Sequence, residues 1–157
     1  MPVNFVPLII AKTGEAMVID VPNGSKEPGT GVILFSQNNP RTANQLWELL
    51  LTGETAGPGG APFVFIINQN SGMALTVPLD PRFDAGAAVV QQPLDHADNQ
   101  KWLQFRPPSV GADNLVFANK WSSMVLAVKG SNFSNGTPII QEGETDHSNQ
   151  LWTTSLS

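Results

Sequence analysis

The phrase Asn-Gln-x-Trp occurs three times, as NQLW at 44–47, NQKW at 99–102 and NQLW at 149–152. It takes up three of the four tryptophans in a chain of 157 residues, a recurrence too regular for chance, so the chain is built from copies of one unit. Other segments keep the same step. MVIDV at 17–21, MALTV at 73–77 and MVLAV at 124–128 precede the three tryptophans at nearly equal distance, with GVILF at 31–35, AVVQQ at 88–92 and PIIQE at 138–142 between. Further apolar runs open each copy at 5–11, 63–68 and 115–119. Each copy therefore offers four short β-rich runs punctuated by Gly, Pro, Asn and Ser, which predicts an all-β chain of twelve strands.

The period of about 50 to 56 residues divides the chain into repeats of about 1–51, 52–106 and 107–157, read as one domain over 1–157. Three equally apolar repeats favour a closed ring. A solenoid needs polar capping repeats, a propeller usually needs four or more blades, and closure removes exposed strand edges. The 14 glycines and 13 prolines suit so many turns.

Charge and termini narrow the partners. A net charge of -5 and a sequence pI near 4.8, without any basic run, exclude nucleic acid and anionic membrane surfaces as the expected partner. The opening MPVNFVPLIIAK has no basic stretch, and Pro7 interrupts its apolar run. It reads as a first strand, so we expect neither a signal peptide nor membrane insertion. With no cysteine there is no disulfide framework. The expectation is a cytoplasmic protein, with release by a non-classical route left open. Asn-x-Ser/Thr triplets at Asn23, Asn132 and Asn135 read as turns.

The three NQxW phrases, each preceded by an apolar-x-[Ile/Leu]-x-Val strand and a central apolar strand, resemble the ricin B-type (QxW) β-trefoil lectin family over essentially the whole chain. The resemblance implies a β-trefoil with threefold pseudo-symmetry. Trp47, Trp102 and Trp152 would fill the barrel, the glutamines would bond backbone across a turn, and the preceding asparagines would point toward ligand. Many secreted relatives carry cysteines in the strands that here begin at Met17, Met73 and Met124. Their absence suggests an intracellular or bacterial type of variant.

By the same resemblance, a galactose site combines an early-strand Asp, a later aromatic and the NQxW Asn. These types suit a sugar, because a carboxylate accepts from vicinal hydroxyls, an aromatic face packs on C–H groups, and an amide both donates and accepts. Repeat one has all three as Asp20, Phe35 and Asn44, with Ile33 where many relatives place Gln. The competing reading has Asp20 capping the turn beside Pro22-Asn23-Gly24 and Phe35 in the core; in the site reading Asp20 is expected at the surface. Repeat two has Thr76, Gln92 and Asn99, repeat three Ala127, Glu142 and Asn149. Neither promises a galactose site, and Ala127 removes the floor acceptor altogether. Trp121, outside the repeated pattern, suits either an exposed contact surface or a packed lid.

No catalytic constellation emerges: there is no Cys or Tyr, no Gly-x-Ser-x-Gly elbow, and the two histidines, His96 and His147, follow Asp95 and Asp146 in equivalent loops. Gly57-Pro58-Gly59-Gly60 lacks the Lys-Ser/Thr of a phosphate loop. The reading is a lectin, not an enzyme, with no cofactor or metal, for glycans bearing terminal galactose or N-acetylgalactosamine. Agglutination through one pocket per chain would require a homodimer. The alternatives are a β-trefoil protease inhibitor acting through residues 52–62, and a non-binding scaffold.

Overall fold

Short apolar runs bounded by turn residues form strands here because they bury apolar side chains, on both faces in the runs 17–20, 74–76 and 125–128, and end where Gly, Pro or Asn bends the chain. The computed structural model describes residues 3–11, 16–79, 84–108 and 113–154. Repeat one holds β1 (Phe5–Val6), β2 (Leu8–Ile10), β3 (Met17–Asp20), β4 (Ile33–Ser36) and β5 (Trp47–Thr55). Repeat two holds β6 (Pro62–Asn68), β7 (Ala74–Thr76), β8 (Val90–Gln92) and β9 (Trp102–Phe105). Repeat three holds β10 (Val116–Asn119), β11 (Val125–Val128), β12 (Ile139–Glu142) and β13 (Trp152–Thr154). These are the twelve expected strands, the first cut in two at Pro7. Proline has no N–H to give a ladder, and here it marks the point where the chain changes partners, β1 pairing with β5 while β2 pairs with β13 and β3.

The first and last strands of the repeats close a ring. Antiparallel pairing runs from β1 to β5, β6, β9 and β10. The ring is completed by the Leu115–Trp152 bridge, with N–H to O distances of 2.7 and 2.9 Å, and by β13 on β2. The middle strands of each repeat form three hairpins, β3·β4, β7·β8 and β11·β12. Bridges Gly31–Val90, Ala88–Ile140 and Ile33–Pro138 join them cyclically into a triangular cap. This is the β-trefoil, and it contains no α-helix among the described residues.

The interior belongs to the repeated tryptophans. Trp47, Trp102 and Trp152 are fully buried with Leu8, Ile10, Leu34, Ile66, Phe117 and their neighbours. Each indole N–H donates to the early hairpin strand of its own repeat, at Ile19 O (3.0 Å), Leu75 O (3.1 Å) and Leu126 O (3.2 Å). The polar edge of each ring is thereby satisfied, and its bulk links barrel to cap. One hairpin is longer than the rest. β5 and β6 pair on past Leu51–Val64 to Thr55–Pro62 after a register irregularity. There Glu54 meets Lys101 at 2.7 Å and also pairs with Lys120, and Asp98 sits 3.1 Å from Lys101.

Candidate functional site

Each Asn-Gln pair lies on a short 3₁₀ turn, Ala43–Gln45, Asp98–Gln100 or Ser148–Gln150, just before the buried tryptophan. The turn aims both amides at the hairpin. The glutamine Oε1 accepts the backbone N–H of Asn38, Asp95 or Thr145 at 2.8 to 2.9 Å. Its Nε2 donates to Ser36 O (3.0 Å), Pro93 O (2.9 Å) or Gly143 O (2.8 Å). The asparagine Nδ2 donates to Val21 O, Val77 O or Val128 O at 2.8 to 3.1 Å. The three latches are equivalent, and they explain why the phrase is repeated.

What differs is the side chain receiving the second bond of the glutamine Nε2. In repeat one it is Asp20 Oδ2 at 2.7 Å, in repeat two the Thr76 hydroxyl at 3.2 Å. In repeat three it is Glu142 Oε2 at 2.8 Å, which also accepts from Asn149 Nδ2 at 3.0 Å. Ala127 had suggested that repeat three lost its acceptor. The structure corrects this: a carboxylate returns from β12, on the cross-strand position that Phe35 occupies in repeat one, since Val18 pairs with Phe35 and Val125 with Glu142.

Asp20, Ile33, Phe35 and Asn44, the four residues singled out in repeat one, line one cleft of about 240 Å³ with Pro22, Asn23 and Asn38. β3 supplies Asp20, and directly opposite it on β4 stands Ile33. Phe35, one pleat along, is 37% exposed, so it is a wall rather than core. Asp20 departs from the expectation of a surface residue, being only 5% exposed. Burial pushes its carboxyl above the usual 3.8, and the Gln45 hydrogen bond opposes that shift in part. Its bonds to Gln45 and, at 3.5 Å, to Asn44 Nδ2 both end on Oδ2. Asn44 is less open than its role in the resemblance implies, because its Oδ1 accepts from Thr42 Oγ1 at 2.7 Å. Thr42 Oγ1 in turn accepts from Asn38 Nδ2 at 2.8 Å. Asn38 was not anticipated, although its place three residues beyond Phe35, where repeat two has Asp95, could have marked it.

The equivalent hollow of repeat two is larger, about 520 Å³, and is lined by Thr76, Pro78, Leu79, Gln92, Pro93, Asp95, Asn99 and Gln100. Trp121 settles as a lid, partly buried against the main core. His96 lies edge-on to Phe65, with ring centroids 5.3 Å apart. The 52–62 segment closes on itself as a hairpin end, through Ala56 N to Ala61 O (3.0 Å) and Gly60 N to Gly57 O (2.9 Å). A Cβ at Gly60 would stand 2.4 Å from Ala56 O, so this closure requires glycine.

The cleft walls are held across repeats. Gln91 of repeat two donates to Ser25 O and Glu27 O, both at 3.0 Å, and Asn70 donates to Gly24 O at 2.9 Å. These bonds fasten the turn that carries Pro22 and Asn23. Gln141 of repeat three likewise reaches Asp84 O of repeat two at 3.0 Å.

A six-stranded ring with a three-hairpin cap, an Asn-Gln latch in every repeat and an acid-floored cleft define a β-trefoil of the carbohydrate-binding type. The family described as ricin-type beta-trefoil lectin domain-like matches residues 43–142, and the chain belongs to it. Comparison with curated proteins found no match. Among solved structures, ThreeFoil, a designed threefold-symmetric protein, is 26% identical, with 96% of each chain covered and a TM-score of 0.80. The Rhizoctonia solani agglutinin is 23% identical over 98% of this chain and 95% of its own, with a TM-score of 0.77. An exo-beta-1,3-galactanase from Clostridium thermocellum reaches a TM-score of 0.82 at 22% identity, and this chain covers 98% of itself but 30% of that enzyme. The latter two show a shared fold.

Proposed function

We propose that this lectin binds a terminal galactose or N-acetylgalactosamine residue in the cleft of repeat one, as a binding module without catalysis. The carrying observation is the convergence of Asp20, Ile33, Phe35 and Asn44 on one small cleft, with the carboxylate at its floor and the aromatic at its wall. Asp20 Oδ2 is committed to Gln45, which leaves Oδ1 to accept from a sugar hydroxyl while Phe35 packs against the C–H face. Ile33 adds an apolar flank where a glutamine amide would have added a further hydrogen bond. A shallow site of this kind gives a monosaccharide affinity of order millimolar, about -4 kcal/mol.

The test is titration with methyl galactoside, followed through backbone amide shifts. Val21, Phe35 and Asn44 should respond, and Asp20→Asn should weaken binding at least tenfold with the fold retained. Asn is the better probe than Ala, because its Oδ1 can still receive the Gln45 Nε2. Galactoside shifts confined to another repeat, or absent throughout, would overturn the assignment. Cross-linking of cells through this site alone would need a second copy of the chain.

A further inference from the structure

The outer wall of the barrel departs from its threefold repeat on one side. The residue after each buried tryptophan is turned outward by the pleat and is half-buried: Glu48, Leu103 or Thr153. Directly across from these, on the strand that opens the following repeat, stand Ile67, Ala118 and Ile9 respectively. Repeats one and three thus set a polar side chain beside a full isoleucine. Repeat two exchanges both, setting an apolar Leu103 beside an alanine that leaves unfilled the space an isoleucine takes. Phe63 flanks Leu103 from its other side. The result is a groove of about 260 Å³ floored by Phe63, Leu103, Phe105 and Ala118 and bounded by Lys120 and Glu144. Phe105 and Ala118 pack against the small core of Val116, Val125 and Leu151, so the floor is backed by rigid structure. That floor belongs to the ring strands β6, β9 and β10, not to the hairpins and Asn-Gln turns that build the repeat-one cleft.

The rim of this groove is uneven in charge. The Lys120 ammonium lies 5.5 Å from the Phe63 ring centroid, but it is already matched by Glu54 and Asp98, which hold Lys101 as well. Glu144 has a second carboxylate, Asp146, beside it. Burial, and after it this neighbour, raise the Glu144 carboxyl above the usual 4.5. A cation brought by a ligand would relieve that repulsion, whereas an anion would add to it. We infer that the groove binds a small aromatic amine, its ring on Leu103 and Ala118 beside Phe63 and Phe105 and its ammonium toward Glu144. The two phenylalanines offer a ligand ring the edge or offset contacts that aromatic pairs prefer, and the volume suits one ring on a short arm. Such a ligand carries no sugar, so the inference stands apart from the galactoside reading of repeat one.

The experiment titrates the full chain with 2-phenylethylamine, neutral 2-phenylethanol and anionic 3-phenylpropanoate at pH 7, followed through backbone amide shifts. The amine should shift Phe63, Leu103, Ala118 and Glu144, binding at least fivefold more tightly than the alcohol and at least tenfold more tightly than the acid. Ala118→Ile gives repeat two the residue that Ile67 and Ile9 supply in the other repeats, so the fold should be kept while amine affinity falls at least fivefold. If that variant is unfolded, Leu103→Thr, which copies repeat three, replaces it with the same expected loss. Glu144→Gln should lower amine affinity at least threefold and leave the alcohol unchanged, which separates the charge from the floor. The amine shifting only residues outside the groove, binding no better than the alcohol, or binding equally well to the filled variant would overturn the inference.

Discussion

Repeats one and three reach the same latch by different strands. In repeat one the carboxylate that receives the Gln45 amide is Asp20 on β3, and the β4 position beside it is left to Phe35. In repeat three the carboxylate is Glu142 on β12, on the site equivalent to Phe35, and the β11 position is Ala127. The glutamine is satisfied equally well, but only repeat one keeps an acid and an aromatic together. Latching asks for an acceptor from either strand. The galactose site proposed for repeat one would ask for an acceptor from one particular strand, because the other strand's position would be needed for the wall.

The predictions attack that comparison where it is strongest first. The latches are symmetric because each serves a buried tryptophan, so Trp102→Ala should cost about 3 to 5 kcal/mol, a large part of the roughly 5 to 15 available to a domain. Urea denaturation would show it, and a loss below 1 kcal/mol would mean the tryptophans are not the centre of the fold. Next in size, Asp20→Asn should weaken galactoside binding at least tenfold, equivalent to about 1.5 to 3 kcal/mol for a hydrogen bond to a charged group. Glu142→Ala, its counterpart, should cost about 1 to 2 kcal/mol of stability, since Gln150 and Asn149 lose a shared acceptor, and leave galactoside affinity unchanged. Galactoside affinity falling with Glu142→Ala and not with Asp20→Asn would exchange the roles of the two repeats.

Acid sharpens the contrast further. Because the folded Asp20 carboxyl titrates above 3.8, the native chain holds that proton more tightly than the unfolded one. The contribution of Asp20 to stability therefore grows as pH falls from its raised value toward 3.8, and above that value the buried charge is a constant penalty. Binding has the opposite sign, for protonation removes the carboxylate's charge and turns one of its two acceptor oxygens into a donor. Galactoside affinity should fall over the same window in which Asp20 adds to stability. Asp20→Asn should abolish both trends in parallel melting and binding series. The smallest effect is reserved for the charged network on the long hairpin. Lys101 and Lys120 hold the Glu54 carboxyl below its usual range, yet Glu54 is exposed, so Glu54→Gln should lower the melting temperature only slightly, and not at all in high salt.

The repeat made the closed ring legible, because one motif copied three times constrains the fold three times over, and the family resemblance it carried implied the buried tryptophans. Asp20, Ile33, Phe35 and Asn44 were legible as a group only through the family resemblance, and the structure places all four on one cleft. Two things were not. The rescue by Glu142 depends on which neighbour across the pleat a side chain can reach, and aligning repeats position by position hides that exchange. The burial of Asp20 depends on Gln45 and Asn44 closing over it, a consequence of turn geometry that a lone acidic residue in a strand does not announce. Pro7 was visible as an interruption, but its meaning came only with the change of partner between β1 and β2.

The wall of the repeat-one cleft is fastened by Gln91 and Asn70, side chains that belong to the next repeat. Ownership of the pocket is thus divided between segments far apart in the chain. During folding, a finished repeat one would still present a loose wall until its neighbour had docked. If the proposed repeat-one site binds galactosides, a fragment holding the first repeat by itself should not, because it lacks Asn70 and Gln91.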